Sequence, residues 1–402
     1  MTYQQTVEYL FSRLPSYQTQ GKSAYKADLS NTIALCKILD NPEKKINTIH
    51  LAGTNGKGST CHMVASIFQE AGYKTGIYSS PHLKDFRERV KINGELISEN
   101  DVVEFVEKYK TDFEKLQLSF FEWTTGLAFY HFAKQNVDMA IIETGLGGRL
   151  DSTNVITPEL SIITTIGLDH TDILGETLEK IAIEKAGIIK QTIPVVIGDT
   201  QKNIQHVFIE KSKELQAPIY FSEPHHYATD LLGEYQKQNI NTAVSACRLL
   251  PKNWKITDEH IKNGLTNVVK NTNLQGRWQV LGNQPKMIAD VAHNEQGIYA
   301  VMNQLQKEKF KQLHIVLGMA NDKDHAKILS LLPKKAHYYF CKPDNKRCLE
   351  AKELLLKATN IGLKGTAFSS VAEAIQEAIY QSDKDDVIFI GGSTFVVAEA
   401  IP

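Results

Sequence analysis

Apolar runs and amphipathic stretches alternate along this chain from about residue 46 onward. Ile46–Ala52 is strand-like, and after a glycine-rich turn a helical run ends near Gly72. Within that run Met63, Val64, Ile67, Phe68 and Ala71 fall on one face at about 3.6-residue spacing, and Gly72 suits the C-terminal cap, so these residues read as core. Thr75–Tyr78 predicts a short strand, and Glu99–Leu116 and Thr124–Gln135 predict helices. Val137–Glu143, Leu160–Ile166 and Pro194–Ile197 are nearly continuous apolar runs. Such runs between amphipathic helices predict parallel strands covered on both faces. Residues 1–45 read mostly as helix, with a break at Leu14-Pro15 and a loop around Gln18–Ala24. A second set begins near Trp278, with strands at Met287–Val291, His314–Gly318, His337–Phe340 and Val387–Ile390 and helices such as Ser370–Tyr380 between them. The pattern predicts two α/β domains, 1–274 and 275–402, joined near Asn273–Gly276.

Length agrees with that division, because 402 residues exceed what one ordinary core accommodates. Composition is that of a soluble globular enzyme, with 42% hydrophobic and 23% charged residues. A formal net charge of −1 gives no overall field for nucleic acid or an anionic membrane. No apolar run approaches the roughly 20 residues that span a bilayer, and the N-terminus lacks the regions of a signal peptide. The five cysteines are scattered and none forms C-x-x-C, which argues against a zinc site or a disulfide framework. The expectation is a cytoplasmic protein with small-molecule partners, monomeric because no conspicuous apolar surface helix is evident.

The chemistry begins at Gly53-Thr54-Asn55-Gly56-Lys57-Gly58-Ser59-Thr60, between the first strand and its helix. A glycine-rich turn with a lysine at a helix N-terminus holds nucleotide phosphates through backbone N–H groups, and a following hydroxyl can reach Mg²⁺. The spacing is a variant of G-x-x-x-x-G-K-[ST], since Gly58 separates Lys57 from Ser59. In open parallel sheets, ligands sit beyond the carboxyl ends of the strands. Ser79-Ser80, Glu143 and the segment Thr164–His170 all fall at such ends. A carboxylate there suits Mg²⁺ shared with phosphates, although Glu143 alone reads equally well as a surface residue. The Gly145-Leu-Gly-Gly148 that follows is not a dinucleotide fingerprint and reads as a flexible loop carrying Arg149 and Asp151. His170 could be a ligand, a base or a satisfied core residue. Lys185, in the last turn of a helix from about Thr177, reads by itself as a complement to the helix dipole. Asn239 near a helix start, Arg277 at the domain junction and Asp290 at a strand end could reach a nucleotide, arginine to phosphate and aspartate to ribose.

These clusters occur together in one order. Ala-Gly-Thr-Asn-Gly-Lys-Gly-Ser (52–59), Ser-Ser-Pro-His-Leu (79–83), Phe-Glu-x-Thr (121–124), Gly-Leu-Gly-Gly-Arg-Leu-Asp-Ser-Thr-Asn (145–154), Asp-His-Thr-x-x-Leu-Gly-x-Thr (169–177), Glu-Lys-Ala-Gly-Ile (184–188) and Asp-x-Ala-His-Asn (290–294) cover nearly the whole chain. The chain resembles the folylpolyglutamate synthase/dihydrofolate synthase family, within the wider group of Mur ligases. The resemblance implies a P-loop, Mur-ligase-like ATPase domain and a smaller Rossmann-like C-terminal domain, with the active site between them. It implies that Asn55, Gly56, Lys57, Gly58 and Ser59 hold the ATP phosphates, and that Asn239, Arg277 and Asp290 contact the nucleotide. Ser80 and Glu143 would bind one Mg²⁺, His170 a second, and Lys185 would be a carbamylated lysine acting as a metal ligand. Lys57, Glu143, His170 and Lys185 would thus carry catalysis. His82, Phe121, Glu122, Arg149, Leu150, Asp151 and Ser152 map to the substrate side. The family's N-terminal Gly-Leu-x-Arg has Asp28-Leu29-Ser30-Asn31 as its counterpart here.

The implied reaction is ATP-dependent ligation of L-glutamate to dihydropteroate, to the glutamyl tail of a reduced folate, or to both, through an acyl phosphate. A synthase of folylpolyglutamate alone remains an alternative. A Mur-type ligase of UDP-sugar peptides is a second, against which stand the Lys-Gly-Ser order and the roughly 45 residues before the phosphate loop. A nucleotide-binding switch is a third, but it gives Glu143, His170 and Lys185 no reason to occur together.

Overall fold

The structure is a computed structural model that describes residues 1–14 and 28–401. Pro15 and the loop expected around Gln18–Ala24 lie outside those residues. The chain divides into two compact units, residues 1–230 with 237–273 and residues 231–236 with 274–402.

The first unit holds an eight-stranded sheet. Its strands are β1 Thr48–Ala52, β2 Thr75–Tyr78, β3 Val90–Ile92, β4 Glu95–Leu96, β5 Met139–Glu143, β6 Leu160–Ile163, β7 Val195–Ile197 and β8 Ile219–Phe221, in the order β4-β3-β2-β5-β1-β6-β7-β8. The six strands from β2 to β8 across the centre are parallel, and β3 and β4 extend the edge antiparallel. The central strands β1, β5 and β6 are buried along their length, as continuous apolar runs require. One face packs on the helices around Leu35, Phe105, Trp123 and Phe132, the other on those around Ile181 and Phe208.

The second unit holds six strands, β9 Gln279–Asn283, β10 Lys286–Asp290, β11 Leu313–Leu317, β12 His337–Phe340, β13 Lys364–Ala367 and β14 Val387–Gly391. Their order is β13-β12-β11-β14-β10-β9, and only β9 runs antiparallel. No described helix is long and apolar enough to cross a membrane.

Three local expectations change. The helix expected from Thr124 begins at Phe120, because Ser119 caps it: Glu122 N–H donates to Ser119 Oγ at 3.2 Å and Ser119 N–H donates to Glu122 Oε2 at 2.6 Å. The helix Lys57–Glu70 is buried on all sides from Ser59 to Phe68, not on one face. Helix Asp258–Thr266 covers its outer side so closely that a Cβ on Gly264 would meet the Ile67 backbone, and Ser66 Oγ donates to Gly264 O at 2.6 Å. The segment after Glu143 is not a flexible loop, for the reasons given below. Strands β3, β4, β8, β9 and β13 are two to five residues long and either short or poor in apolar positions, so pattern did not mark them.

Candidate active site

The parallel register brings the candidate chemistry to one edge of the first sheet. Leu51 pairs with Glu143, Ala52 with Ile163 and Tyr78 with Ile142, so the segments beginning at Gly53, Ser79, Thr144 and Thr164 leave the sheet side by side. Gly53 sits at φ +153° with Thr164 where a Cβ would stand, so only glycine fits. The turn is tied to the next strand end: Thr54 N–H donates to Thr165 O at 2.7 Å, Thr164 Oγ1 to Asn55 O at 2.7 Å, and Gly167 N–H to Thr54 Oγ1 at 3.0 Å. Gly56 caps the helix at φ +83°, and the Asn239 side chain occupies the space a Cβ would need. The phosphate-loop residue Gly56 and the nucleotide candidate Asn239 are therefore in contact.

Two lysines converge on one carbonyl. Lys57 Nζ donates to Gly53 O at 3.0 Å and to Thr54 O at 3.3 Å, and Lys185 Nζ donates to Gly53 O at 2.8 Å. Lys185 is 4% exposed, in the last turn of helix Leu178–Ala186. Burial, reinforced by the Lys57 charge, pulls its amine down to about 7 against the pull of Asp169 and Asp151. A neutral fraction is then accessible near neutral pH, and the neutral amine is the form that can react as a nucleophile. The dipole-complement reading of Lys185 does not account for a side chain buried under the phosphate loop.

Glu143 is 4% exposed and its Oε2 accepts the Ser80 N–H at 3.3 Å, so the Ser80 hydroxyl and the Glu143 carboxylate lie in one neighbourhood. His170 stands at φ +49° before a single helical turn, with its Nε2 3.9 Å from Asp169 Oδ2. Among the described residues no group of three or more His, Cys, Asp or Glu side chains comes together. A Mg²⁺ site of the expected kind uses one or two carboxylates and takes its remaining ligands from phosphates and water.

The residues expected on the substrate side divide by what they hold. Asp151 is buried; its Oδ2 accepts the Leu146 N–H at 2.8 Å and its Oδ1 accepts the Thr153 N–H at 3.0 Å and the Thr153 hydroxyl at 2.5 Å. Burial raises its carboxyl pKa above the ordinary value. Asn154 donates to Arg149 O and Gly187 O, both at 3.0 Å, and Arg149 N–H donates to Glu184 O at 2.7 Å. These bonds close the loop 145–154 onto the helix that carries Lys185, and Arg149 pairs with Glu184 at 2.8 Å on its surface. Leu150 and Ser152 lie partly exposed beside them. Glu122 is buried at the start of its helix, where it completes the capping box. The partly exposed Phe121 ring covers Gly145, which has no room for a Cβ. His82 Nδ1 accepts from Arg89 Nε at 2.8 Å, and burial together with the Arg89 charge takes its pKa down to about 3. His82 is thus neutral, with its proton on Nε2.

In the second unit Asp290 ends β10 at 2% exposure. Its Oδ2 accepts from Tyr235 OH at 2.6 Å and Trp278 N–H at 2.8 Å, and its Oδ1 from Ala292 N–H at 2.9 Å. Burial raises this carboxyl as well, with Arg277 among the groups that oppose the rise. Arg277 is partly exposed and donates to Gly276 O at 3.3 Å. Arg277, Asp290, Tyr235 and Trp278 form one local group. Sequence reasoning passed over Asp169 and Arg89: Asp169 carried a signal in its place beside His170, whereas a lone arginine in a polar loop carried none.

A phosphate loop over a parallel sheet, with a buried lysine beneath it and a carboxylate at the neighbouring strand end, is the core of a nucleotide-using α/β protein. Residues 51–249 match the Mur ligase middle domain and residues 276–394 match the Mur ligase, glutamate ligase domain. The class is therefore that of the Mur ligases. The dihydrofolate synthase/folylpolyglutamate synthase of Bacillus subtilis is 34% identical over 94% of this chain and 95% of its own length. The probable bifunctional folylpolyglutamate synthase/dihydropteroate synthase of Haloferax volcanii is 32% identical over 100% of the chain, which spans 50% of that longer protein. Escherichia coli FolC in complex with DHPP and ADP superposes with a TM-score of 0.86 at 28% identity, covering 100% of this chain and 97% of that one. A bifunctional folylpolyglutamate synthase/dihydrofolate synthase with Mn, AMPPNP and L-glutamate bound gives 0.86 at 30% identity over the same shares. The chain belongs to the dihydrofolate synthase/folylpolyglutamate synthase family.

Proposed function

We propose that this protein joins L-glutamate to dihydropteroate and to the glutamyl tail of reduced folates, using ATP and a divalent cation. The acceptor carboxylate attacks the γ-phosphorus of ATP, giving an acyl phosphate and ADP. The glutamate amine then attacks the acyl carbon, phosphate leaves, and the amine loses a proton to yield the amide. Such chemistry rests on positioning and on neutralising charge. The observation that carries the reading is the loop from Gly53 to Ser59, held by Thr164 and undercut by Lys57 and Lys185 on a single carbonyl.

In this reading the backbone N–H groups of Asn55 to Ser59 cradle the phosphates and Lys57 turns from its loop carbonyls to the transferred phosphoryl group. Ser80, Glu143, His170 and a carbamylated Lys185 are the groups that would hold the divalent cation, which supplies charge neutralisation on the phosphates. Arg277, Asp290 and Asn239 serve the nucleotide. Asp151 and Glu122 act by holding the loop and helix that present Phe121, Leu150 and Ser152 to the acceptor. The protein acts as a cytoplasmic monomer on small molecules, without nucleic acid or membrane.

The test is phosphate release from ATP and Mg²⁺ with L-glutamate, supplying dihydropteroate and tetrahydrofolate separately and recording product masses. Gain of one glutamyl residue on both acceptors is the expected result. Gain on tetrahydrofolate alone narrows the enzyme to a folylpolyglutamate synthase, and no gain on either refutes the reading.

A further inference from the structure

Arg89 is one of the largest deeply buried side chains of the protein, and it is charged. It closes the 3-10 turn Phe86–Arg89 ahead of β3 and is 2% exposed. Its Nε donates to His82 Nδ1 at 2.8 Å, and its guanidinium carbon lies 5.0 Å from the centroid of the Phe120 ring. Among the described residues neither terminal amino group donates to any acceptor, yet neither is sealed from solvent. Arg87, two residues earlier, shows the usual arrangement: its Nε and Nη2 both engage the Asp85 carboxylate, the latter at 2.6 Å.

A guanidinium holds five N–H donors in a fixed fork, and a buried charge with one neutral partner is costly unless an anion completes it. The neighbouring acids do not complete it. Glu88 is occupied by the backbone N–H groups of Leu83, Lys84 and Asp85 at 2.7, 2.9 and 2.8 Å. Glu143 is near enough to favour the charged guanidinium but makes no ion pair with it, and receives Ser80 instead. Burial lowers the Arg89 pKa to about 10, so the charge persists at neutral pH. The surroundings are aromatic: Phe11 stacks on Phe120 at 4.7 Å between centroids, and His82 lies edge-on to Phe11 at 5.8 Å. Such walls suit a flat acid bearing a ring better than a fully hydrated inorganic ion.

We propose that the terminal amino groups of Arg89 receive the carboxylate of an aryl-acid acceptor, and that the same side chain fixes His82 with Nε2–H as a donor towards that acceptor. The assignment rests on the ligase reading above. It makes Arg89 a binding residue that holds the oxygens about to be phosphorylated, and it makes acceptor recognition depend on charge.

The experiment compares dihydropteroate with its carboxamide analogue by calorimetric titration of the full chain. In the wild type the acid should bind roughly 10- to 100-fold more tightly, the worth of a charge-assisted bidentate pair. Arg89→Lys keeps the charge and loses the fork; it should weaken the acid by a similar factor, leave the carboxamide within about twofold, and leave AMPPNP affinity unchanged. Equal binding of acid and carboxamide by the wild type overturns the proposal, and that arm needs no folded variant. Equal weakening of both by Arg89→Lys, or a loss confined to AMPPNP, also overturns it, the latter assigning the fork to a phosphate. A wild type that ligates glutamate yet ignores the carboxylate defeats this assignment alone. One that binds neither compound and makes no product defeats the ligase reading with it.

Discussion

Lys185→Met should stabilise the protein at neutral pH while abolishing turnover. The amine falls from an ordinary 10.5 to about 7 on folding, chiefly through burial. A depression of that size corresponds to about 5 kcal/mol of penalty for keeping the ammonium in the folded state. Methionine removes the penalty but forfeits the bond from Nζ to Gly53 O, a charge-assisted contact worth about 2 kcal/mol. Gly53 O keeps Lys57 Nζ as a partner, so no buried acceptor is orphaned. The net expectation is a gain of about 3 kcal/mol below pH 7. The sign follows from proton counts. Below pH 7 both states of the wild type hold the proton and the penalty is fully present. Between pH 7 and 10.5 the unfolded chain holds the proton and the folded protein does not, so wild-type stability rises with pH by about 1.4 kcal/mol per unit. The variant's advantage should therefore shrink from pH 7 and be gone near pH 9. Urea unfolding at pH 6.5, 8 and 9.5, in buffer freed of CO₂, measures it. A variant less stable at pH 6.5, or a difference that stays constant across that range, would refute the buried-amine account.

Other perturbations separate binding, folding and metal. Gly56→Ala places a Cβ against Asn239 Oδ1 on a φ +83° backbone, so nucleotide affinity by titration should fall at least about tenfold with the fold retained; unchanged affinity would remove this turn from the phosphate site. Asp290→Ala leaves Tyr235 OH and the N–H groups of Trp278 and Ala292 without their acceptor, and should cost about 3 kcal/mol or more in the unfolding of the second unit, followed by Trp278 fluorescence. Chelation with EDTA should stop turnover and leave the melting temperature of the ligand-free protein unchanged, since no described cluster of ligating side chains needs a metal to fold. A fall in melting temperature would reveal a structural ion.

The first strand, its glycine turn and its helix were legible because each obeys a local rule: an apolar run, residues free to take positive φ, and a capped helix. Glu143 was legible as a carboxylate closing an apolar run. The burial of Lys185 was not, because its partner Gly53 O lies 132 residues away and only the pairing of β1 with β6 brings the two regions together. The work of Glu122 and Asp151 was hidden for the opposite reason, because it is local. Both stood out as acidic residues in a motif, yet Glu122 accepts from the backbone of its own helix start, and Asp151 from the backbone of its own loop and from the Thr153 hydroxyl. Arg89 was invisible for a third reason. Its environment is assembled from Phe11, His82 and Phe120, on separate segments, and nothing at positions 86–89 announces that the second of two nearby arginines is enclosed while the first is paired at the surface.

A buried lysine also answers a problem that a plain carboxylate at this depth would face. Asp151, equally enclosed and within the field of Lys185, has its carboxyl pKa raised by burial even while it accepts three hydrogen bonds. A further aspartate or glutamate under the loop would resist ionising in the same way, and in its neutral form would offer a cation no charge. Lysine begins as a cation or a neutral amine, and its neutral fraction near pH 7 can add CO₂, forming an N–C bond and releasing one proton. The carbamate bears −1 where the ammonium bore +1, a swing of two charges. That swing would turn a point that repels a divalent cation into one that attracts it. Bicarbonate should therefore raise the affinity of the wild type for Mn²⁺ at pH 8, where the amine is mostly neutral, and have no effect on Lys185→Met. An equal response in both proteins, read by Mn²⁺ titration, would place the bicarbonate effect elsewhere and leave Lys185 as a cation that serves only the phosphates.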